Sequence, residues 1–342
     1  QNDGAGVELP DAGAGNRITG NSIDGNGGLG IDLGADGVTP NDPGDVDTGP
    51  NDLQNYPDLV AAIPLVGQVY LEGALSSRPS TTYQLEYFLG DACNPTGHGE
   101  GSEAMGAASL TTGGAGTADI QTTLNETVLP GDIITATATD PGGSTSEFSA
   151  CITATTFTLT LSPDSVVVTR GSEAKYAVDL TAVGGSFDVP VQLDCDGLPG
   201  LTECSFAPAT VTPGAGVRSI LTVTTTAPSA STARATGGWD ARALVPALAA
   251  LAIGLLGLIA VRLRRLETTS EGPKWGEAAP GRYLVTGAAV TLCLGLAFFA
   301  GCGDGNGTGP TDGGTPTGRY EFTVSATAGP LERVETGLLV VR

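Results

Sequence analysis

The sequence predicts an all-β chain with a helical membrane hairpin: the end of a parallel β-solenoid, then two β-sandwich modules, then two apolar spans. Three observations carry this. Gly (52) and Pro (22) are abundant while aromatics make up only 5%, so cores must be assembled from Val, Ile, Leu and Ala between frequent turns. Thr- and Val-rich segments alternate apolar and polar residues, the period of half-buried strands. Near the C-terminus, residues 243–261 and 284–301 carry no charge. A length of 342 residues predicts two or three domains, since single cores rarely grow beyond about 200 to 250 residues.

Residues 1–57 run on Asn and Gly steps, and from Asn16 to Leu33 single aliphatics are spaced between turn residues. Val7, Leu9, Ile18, Ile23, Leu29, Ile31 and Leu33 are the inward candidates. Short strands of this kind, separated by Asn/Gly corners, suit the coils of a parallel β-solenoid. The stretch from Gly28 to Pro57, with its Gly28-Leu-Gly-Ile-Asp-Leu33 start and Asp45-Val-Asp-Thr-Gly-Pro-Asn-Asp-Leu-Gln-Asn-Tyr-Pro57 end, resembles the segment that closes right-handed parallel β-helix repeat proteins of bacterial envelopes. Because one or two coils cannot bury a core alone, the resemblance implies more coils upstream. A start at Gln1 rather than Met points the same way, to a fragment or processed product.

Residues 58–154 read as a β-sandwich, with strands expected at Gln68–Leu75, Thr82–Phe88, Ala118–Thr123 and Asp132–Thr139. The run from Ala136 to Cys151 resembles the sandwich that follows the β-helix in the same family. Residues 155–227 begin a second sandwich, in which Phe157–Leu161, Ser165–Thr169, Lys175–Ala182 and Ser219–Thr226 alternate. Its segment Val191–Val211 resembles the Ig-like repeats of bacterial surface proteins. A small-residue linker follows at 228–242.

The spans 243–261 and 284–301 each approach the ~30 Å hydrocarbon thickness at about 1.5 Å per residue. Between them, residues 262–283 hold Arg262, Arg264, Arg265, Lys274 and Arg282, which places that loop in the cytoplasm and both flanks outside. A pair of buried core helices is the bland alternative. Two other readings compete: Val245-Pro246, an apolar run and the Arg cluster resemble a C-terminal sorting tag, and Phe299-Ala-Gly-Cys302 resembles a lipoprotein signal in which Cys302 is lipidated. Residues 302–318 form a Gly-rich linker. Residues 319–342 contain two alternating strands that resemble the last strands of the Ig-like repeat, completing the domain begun at Phe157.

Charge and side-chain inventory narrow the function. A net charge of -22 argues against nucleic acid, whose phosphates require Lys and Arg clusters. Of six cysteines, Cys93, Cys151, Cys195 and Cys204 lie in the strand-rich region as two pairs, and disulfides Cys93 to Cys151 and Cys195 to Cys204 are expected in an oxidising compartment. His98 stands in a Gly-rich loop, read as solvated, and no nucleophile–base pair is recognisable. Carboxylates are the one cluster with possible chemistry. Asp32, Asp36, Asp42, Asp45, Asp47 and Asp52 crowd a Pro/Gly-rich loop, and Asp45-Val-Asp47 spacing directs two carboxylates to one calcium ion. Asp42, Asp45, Asp47 and Asp52 are the candidate ligands; the competing reading is that they only cap turns. The expectation is a membrane-anchored, outward-facing structural or adhesion-type envelope protein without catalytic activity, with the membrane, surface glycans or other envelope proteins as partners. The alternative is a carbohydrate-active β-helix enzyme whose catalytic coils lie upstream.

Overall fold

Residues 3–11, 13–214, 216–229 and 313–342 are described by the computed structural model, and they fall within one compact unit. Their regular structure is strands and a single 3-10 turn at Pro50–Leu53. The expected membrane spans, the basic loop between them and Cys302 lie outside the described residues. Among the described residues no helix is long and apolar enough to cross a membrane. Among the described residues the fold class is corrected to all-β with no membrane-spanning helix, and nothing in them supports the expected membrane-anchored localisation.

The solenoid is corrected as well. Strands β1 (Val7–Leu9) and β2 (Ile31–Leu33) pair in parallel with Val7 opposite Ile31, but each is only three residues long, and among the described residues no further strand joins them. Leu9, Ile23, Ile31 and Leu33 are buried as anticipated, yet they pack with Phe88 and Phe148 of the neighbouring sandwich instead of with another coil. Single aliphatics between Asn/Gly corners need only some apolar cover. A sandwich wall supplies it as well as a stacked coil would.

The first sandwich faces one sheet of β3 (Asp58–Leu65), β4 (Gln68–Ser76) and β7 (Thr117–Leu124) against another of β5 (Thr82–Gly90), β6 (Glu103–Thr111), β8 (Ile133–Thr139) and β9 (Ile152–Thr153). Its core includes Leu71, Leu75, Tyr83, Leu85, Tyr87, Ile120 and Ile134. Three of its strands escaped sequence reading, among them the two-residue β9. β6 is rich in Gly and Ala and lies at a sheet edge, where β-propensity is a weak guide. β3 reads as a nearly continuous apolar run because it is covered on both faces: Leu59 and Ala62 join the first core, while Ala61 and Ile63 join the second.

The second sandwich begins one residue past a connector bond, from Thr155 N–H to the Ala62 carbonyl. Its strands are β10 (Thr156–Ser162), β11 (Ser165–Val168), β12 (Glu173–Val183), β13 (Val191–Asp196), β14 (Thr202–Ala207), β15 (Thr210–Val211), β16 (Val217–Thr225), β17 (Gly318–Ala328) and β18 (Leu331–Val341). One sheet runs β10-β12-β16-β14 and the other β11-β18-β17-β13-β15. The C-terminal strands thus return to the domain begun near Phe157, with Cys195 of β13 opposite Val324 of β17. Alternation works as expected here: Ala174, Tyr176, Val178 and Leu180 of β12 are buried, and Tyr176 meets Phe322 edge to face at 5.1 Å.

Candidate metal centre

The Asp-rich loop after β2 folds into the seam between residues 3–57 and the first sandwich. Gly44 and Asp45 both take positive φ (81° and 56°), and this tight bend turns the Asp45 side chain inward, where the residue is only 3% exposed. Its Oδ1 accepts the Asn55 backbone N–H at 3.0 Å, and its Oδ2 accepts the Ser77 hydroxyl at 2.7 Å. Ser77 lies just past the end of β4, so Asp45 ties the loop to the sandwich. Asn55 closes the loop from the other side, donating to the carbonyls of Asp42 and Ser76 at 2.7 Å each.

Asp42, Asp45 and Asp47 each bring one carboxylate oxygen within 4.8 Å of the other two. Calcium binds oxygens at about 2.3 to 2.6 Å, so ligands on opposite sides of one ion stand about 4.8 Å apart, and three oxygens in that space fit a single coordination sphere. Oδ1 of Asp42 and Oδ1 of Asp47 are shut off from solvent and have no hydrogen-bond partner. Buried carboxylate oxygens without a donor are costly, and a hard cation is the natural way to satisfy them. Burial pushes the Asp45 carboxyl above its ordinary range, against the lowering effect of Ser77, Asn55 and Arg78. Asp47 is raised too, by burial and then by the negative charges of Asp42 and Asp45.

Asp52, the fourth expected ligand, is directed elsewhere. Asn51, Asp52 and Leu53 all take left-handed φ (52°, 54° and 53°), and Asp52 accepts Arg78 Nη2 at 2.7 Å. Arg78 also stands 3.9 Å from Asp45 and 3.7 Å from Asp140. Asp32 is buried on β2, with a 3.4 Å contact from the Gly37 N–H, and Asp36 lies beside Gly34; neither belongs to the trio.

The left-handed turn is pinned by a residue that sequence reading grouped with the carboxylates and gave no role of its own. Asn51 is fully buried, donates to the carbonyls of Asn16 and Thr145 at 2.7 and 2.9 Å, and accepts the Asn16 N–H at 2.8 Å. Two carboxylates of the first sandwich act in the same way. Glu147, 2% exposed, accepts Leu33 N–H and Thr39 N–H at 2.9 Å each and the Thr39 hydroxyl at 3.3 Å, and burial raises it to about 7. Glu100, 5% exposed, accepts from the Asn26 backbone and side-chain amides. The one available signal was the dense Ser144-Thr-Ser-Glu-Phe-Ser149 run, which is buried throughout.

Both expected disulfides are formed, Cys93 with Cys151 and Cys195 with Cys204. The first closes the loop that presents Asn94 and Glu100 to the N-terminal segment; the second joins β13 to β14 across the two sheets. His98 is half-buried rather than solvated: its ring meets Tyr56 edge to face at 5.3 Å, with Nε2 3.2 Å from the phenol oxygen.

No family model matches the chain, and no curated protein matches it. Among solved structures it is similar to domains 4 and 5 of the S-layer protein SbsC, at 11% identity and a TM-score of 0.23, over 80% of this chain and 82% of that one. It is also similar to Escherichia coli alpha-2-macroglobulin activated by porcine elastase, at 12% identity and a TM-score of 0.22, over 90% of this chain and 22% of that one. For red sea bream transglutaminase the values are 13% identity and a TM-score of 0.19, over 84% and 31%. Likenesses this distant carry no argument about function. The expected kinship with β-helix repeat envelope proteins is corrected: the described residues form sandwich-like sheets, with a single parallel pair of three-residue strands in place of stacked coils.

Proposed function

We propose that this chain is a non-catalytic structural or adhesion-type protein of an extracellular surface, and that Asp42, Asp45 and Asp47 hold a calcium ion that stiffens it. The observation that carries the reading is the carboxylate trio within 4.8 Å, two of whose buried oxygens lack any donor. Two disulfides favour an oxidising compartment, where free calcium is abundant enough for the weak sites of extracellular modules. A net charge of -22 favours cations over nucleic acid as partners. Other surface proteins and glycans are the proposed macromolecular partners. The carbohydrate-active alternative rested on solenoid coils and loses its basis with them.

Thermal unfolding in calcium and in chelator tests the site. Calcium at a hundred times its Kd is expected to stabilise the fold by about 2.7 kcal/mol, because it binds the folded state alone. Asp47→Asn should abolish the gain. Equal melting temperatures in calcium and chelator would leave these residues as turn caps.

A further inference from the structure

We propose that occupancy of this cation site governs how firmly the N-terminal segment, residues 3–57, stays docked on the first sandwich. The inference rests on the calcium reading above and assigns the site a role in regulation.

The seam is held mainly by polar contacts. Its apolar part is Leu9, Ile23, Ile31 and Leu33 against Phe88 and Phe148, with Val7, Ile18 and Leu53 partly buried beside them. The remainder is hydrogen bonding between the segment and sandwich: Asn26 to Glu100, Leu33 and Thr39 to Glu147, Asn51 to the Thr145 carbonyl, and Ile23 to Gly101 in both directions. Interfaces with few apolar contacts are where local opening requires least free energy. Acidic groups outnumber basic ones on the seam, where Arg17 lies beside Gly143 and Arg78 beside the carboxylates. Asp32, Asp42, Asp45, Asp47 and Asp52 come from the segment, Glu100, Asp140 and Glu147 from the sandwich, and Arg78 is the cation that meets Asp45, Asp52 and Asp140.

The trio sits directly against these bonds. Asp45 belongs to the trio and to the seam at once, since its second oxygen takes the Ser77 hydroxyl, which is itself bonded to Gln54 Nε2 and the Tyr83 hydroxyl. An ion on Asp42, Asp45 and Asp47 neutralises the densest negative charge and fixes the loop that Asn55 and Ser77 close. Without the ion, repulsion within the trio acts directly on the bonds that hold the segment down.

Hydrogen exchange on the whole chain, in calcium and in chelator, tests the proposal. The amides of Ile23, Asn26, Leu33 and Thr39 report docking because their acceptors lie on the sandwich. If calcium binds the docked state alone, protection at these amides should rise about tenfold at ten times the Kd, while Val178 and Leu180 in β12 stay unchanged. Asp47→Asn should remove the response. Calcium titration calorimetry on the same sample separates the two claims. No binding heat would overturn the calcium reading itself. Binding with unchanged protection at the four amides, or an equal rise throughout β12, would overturn the docking role alone.

Discussion

Glu147→Gln isolates the largest carboxyl perturbation among the described residues. The wild-type side chain is 2% exposed and accepts three donors from the N-terminal segment, yet burial outweighs those bonds and raises it from 4.5 to about 7. A group whose folded pKa exceeds its unfolded value contributes stability that is fully present below the unfolded pKa and is lost as pH rises through the folded one. Between pH 4.5 and 7 the displacement corresponds to about 3 kcal/mol, an order-of-magnitude figure for so buried a group. Glutamine keeps one oxygen for Leu33 and Thr39 Oγ1, cannot change charge, and turns its amide toward the Thr39 N–H, a loss of about 1 to 2 kcal/mol. The wild type should therefore be the more stable protein near pH 4.5, and its advantage should shrink by about 3 kcal/mol and vanish or reverse by pH 8. Urea unfolding of both proteins across that range, in chelator, measures the difference directly. A difference that stays constant, or that grows in favour of the wild type with rising pH, would refute the reasoning. Asp45 and Asp47 are displaced in the same direction and are common to both proteins, so they cancel in the comparison.

Alkylation without prior reduction should find no free thiol at Cys93, Cys151, Cys195 or Cys204, and reduction should expose all four. Replacing Cys93 and Cys151 by Ser opens a loop of sequence separation 58 and is expected to cost about 4 kcal/mol, against about 2.5 kcal/mol for the separation of 9 between Cys195 and Cys204; chemical denaturation of the two double variants ranks them. Phe322→Ala removes a 1% exposed ring packed on Tyr176 and should destabilise the second sandwich by about 3 to 5 kcal/mol, followed by near-ultraviolet dichroism. An unperturbed second sandwich in that variant would mean that the C-terminal strands do not complete it.

Local pattern carried much of the fold. The two-residue period of Ala174, Tyr176, Val178 and Leu180 is sufficient to specify a half-buried strand, because side chains on a strand alternate between faces. The same property makes Phe322, Val324 and Ala326 legible as one buried face of β17. The carboxylates of Asp42, Asp45 and Asp47 are close in sequence and stay close in space, so their cluster was visible before the fold. Tertiary structure decided what no window of sequence contains. Whether Ile31 and Leu33 meet another coil or Phe148 depends on which surface covers them, and the Asn/Gly corners that precede them are the same in both cases. Asp52 stands apart from the trio because a left-handed turn brings it to Arg78, and that turn is held by Asn51 reaching Thr145, 94 residues away. Glu147 lies 114 residues from Leu33, and its role exists only because the sandwich wall removes both from water. Periodicity and composition act over neighbouring residues, whereas burial and long-range hydrogen bonds are properties of the assembled chain.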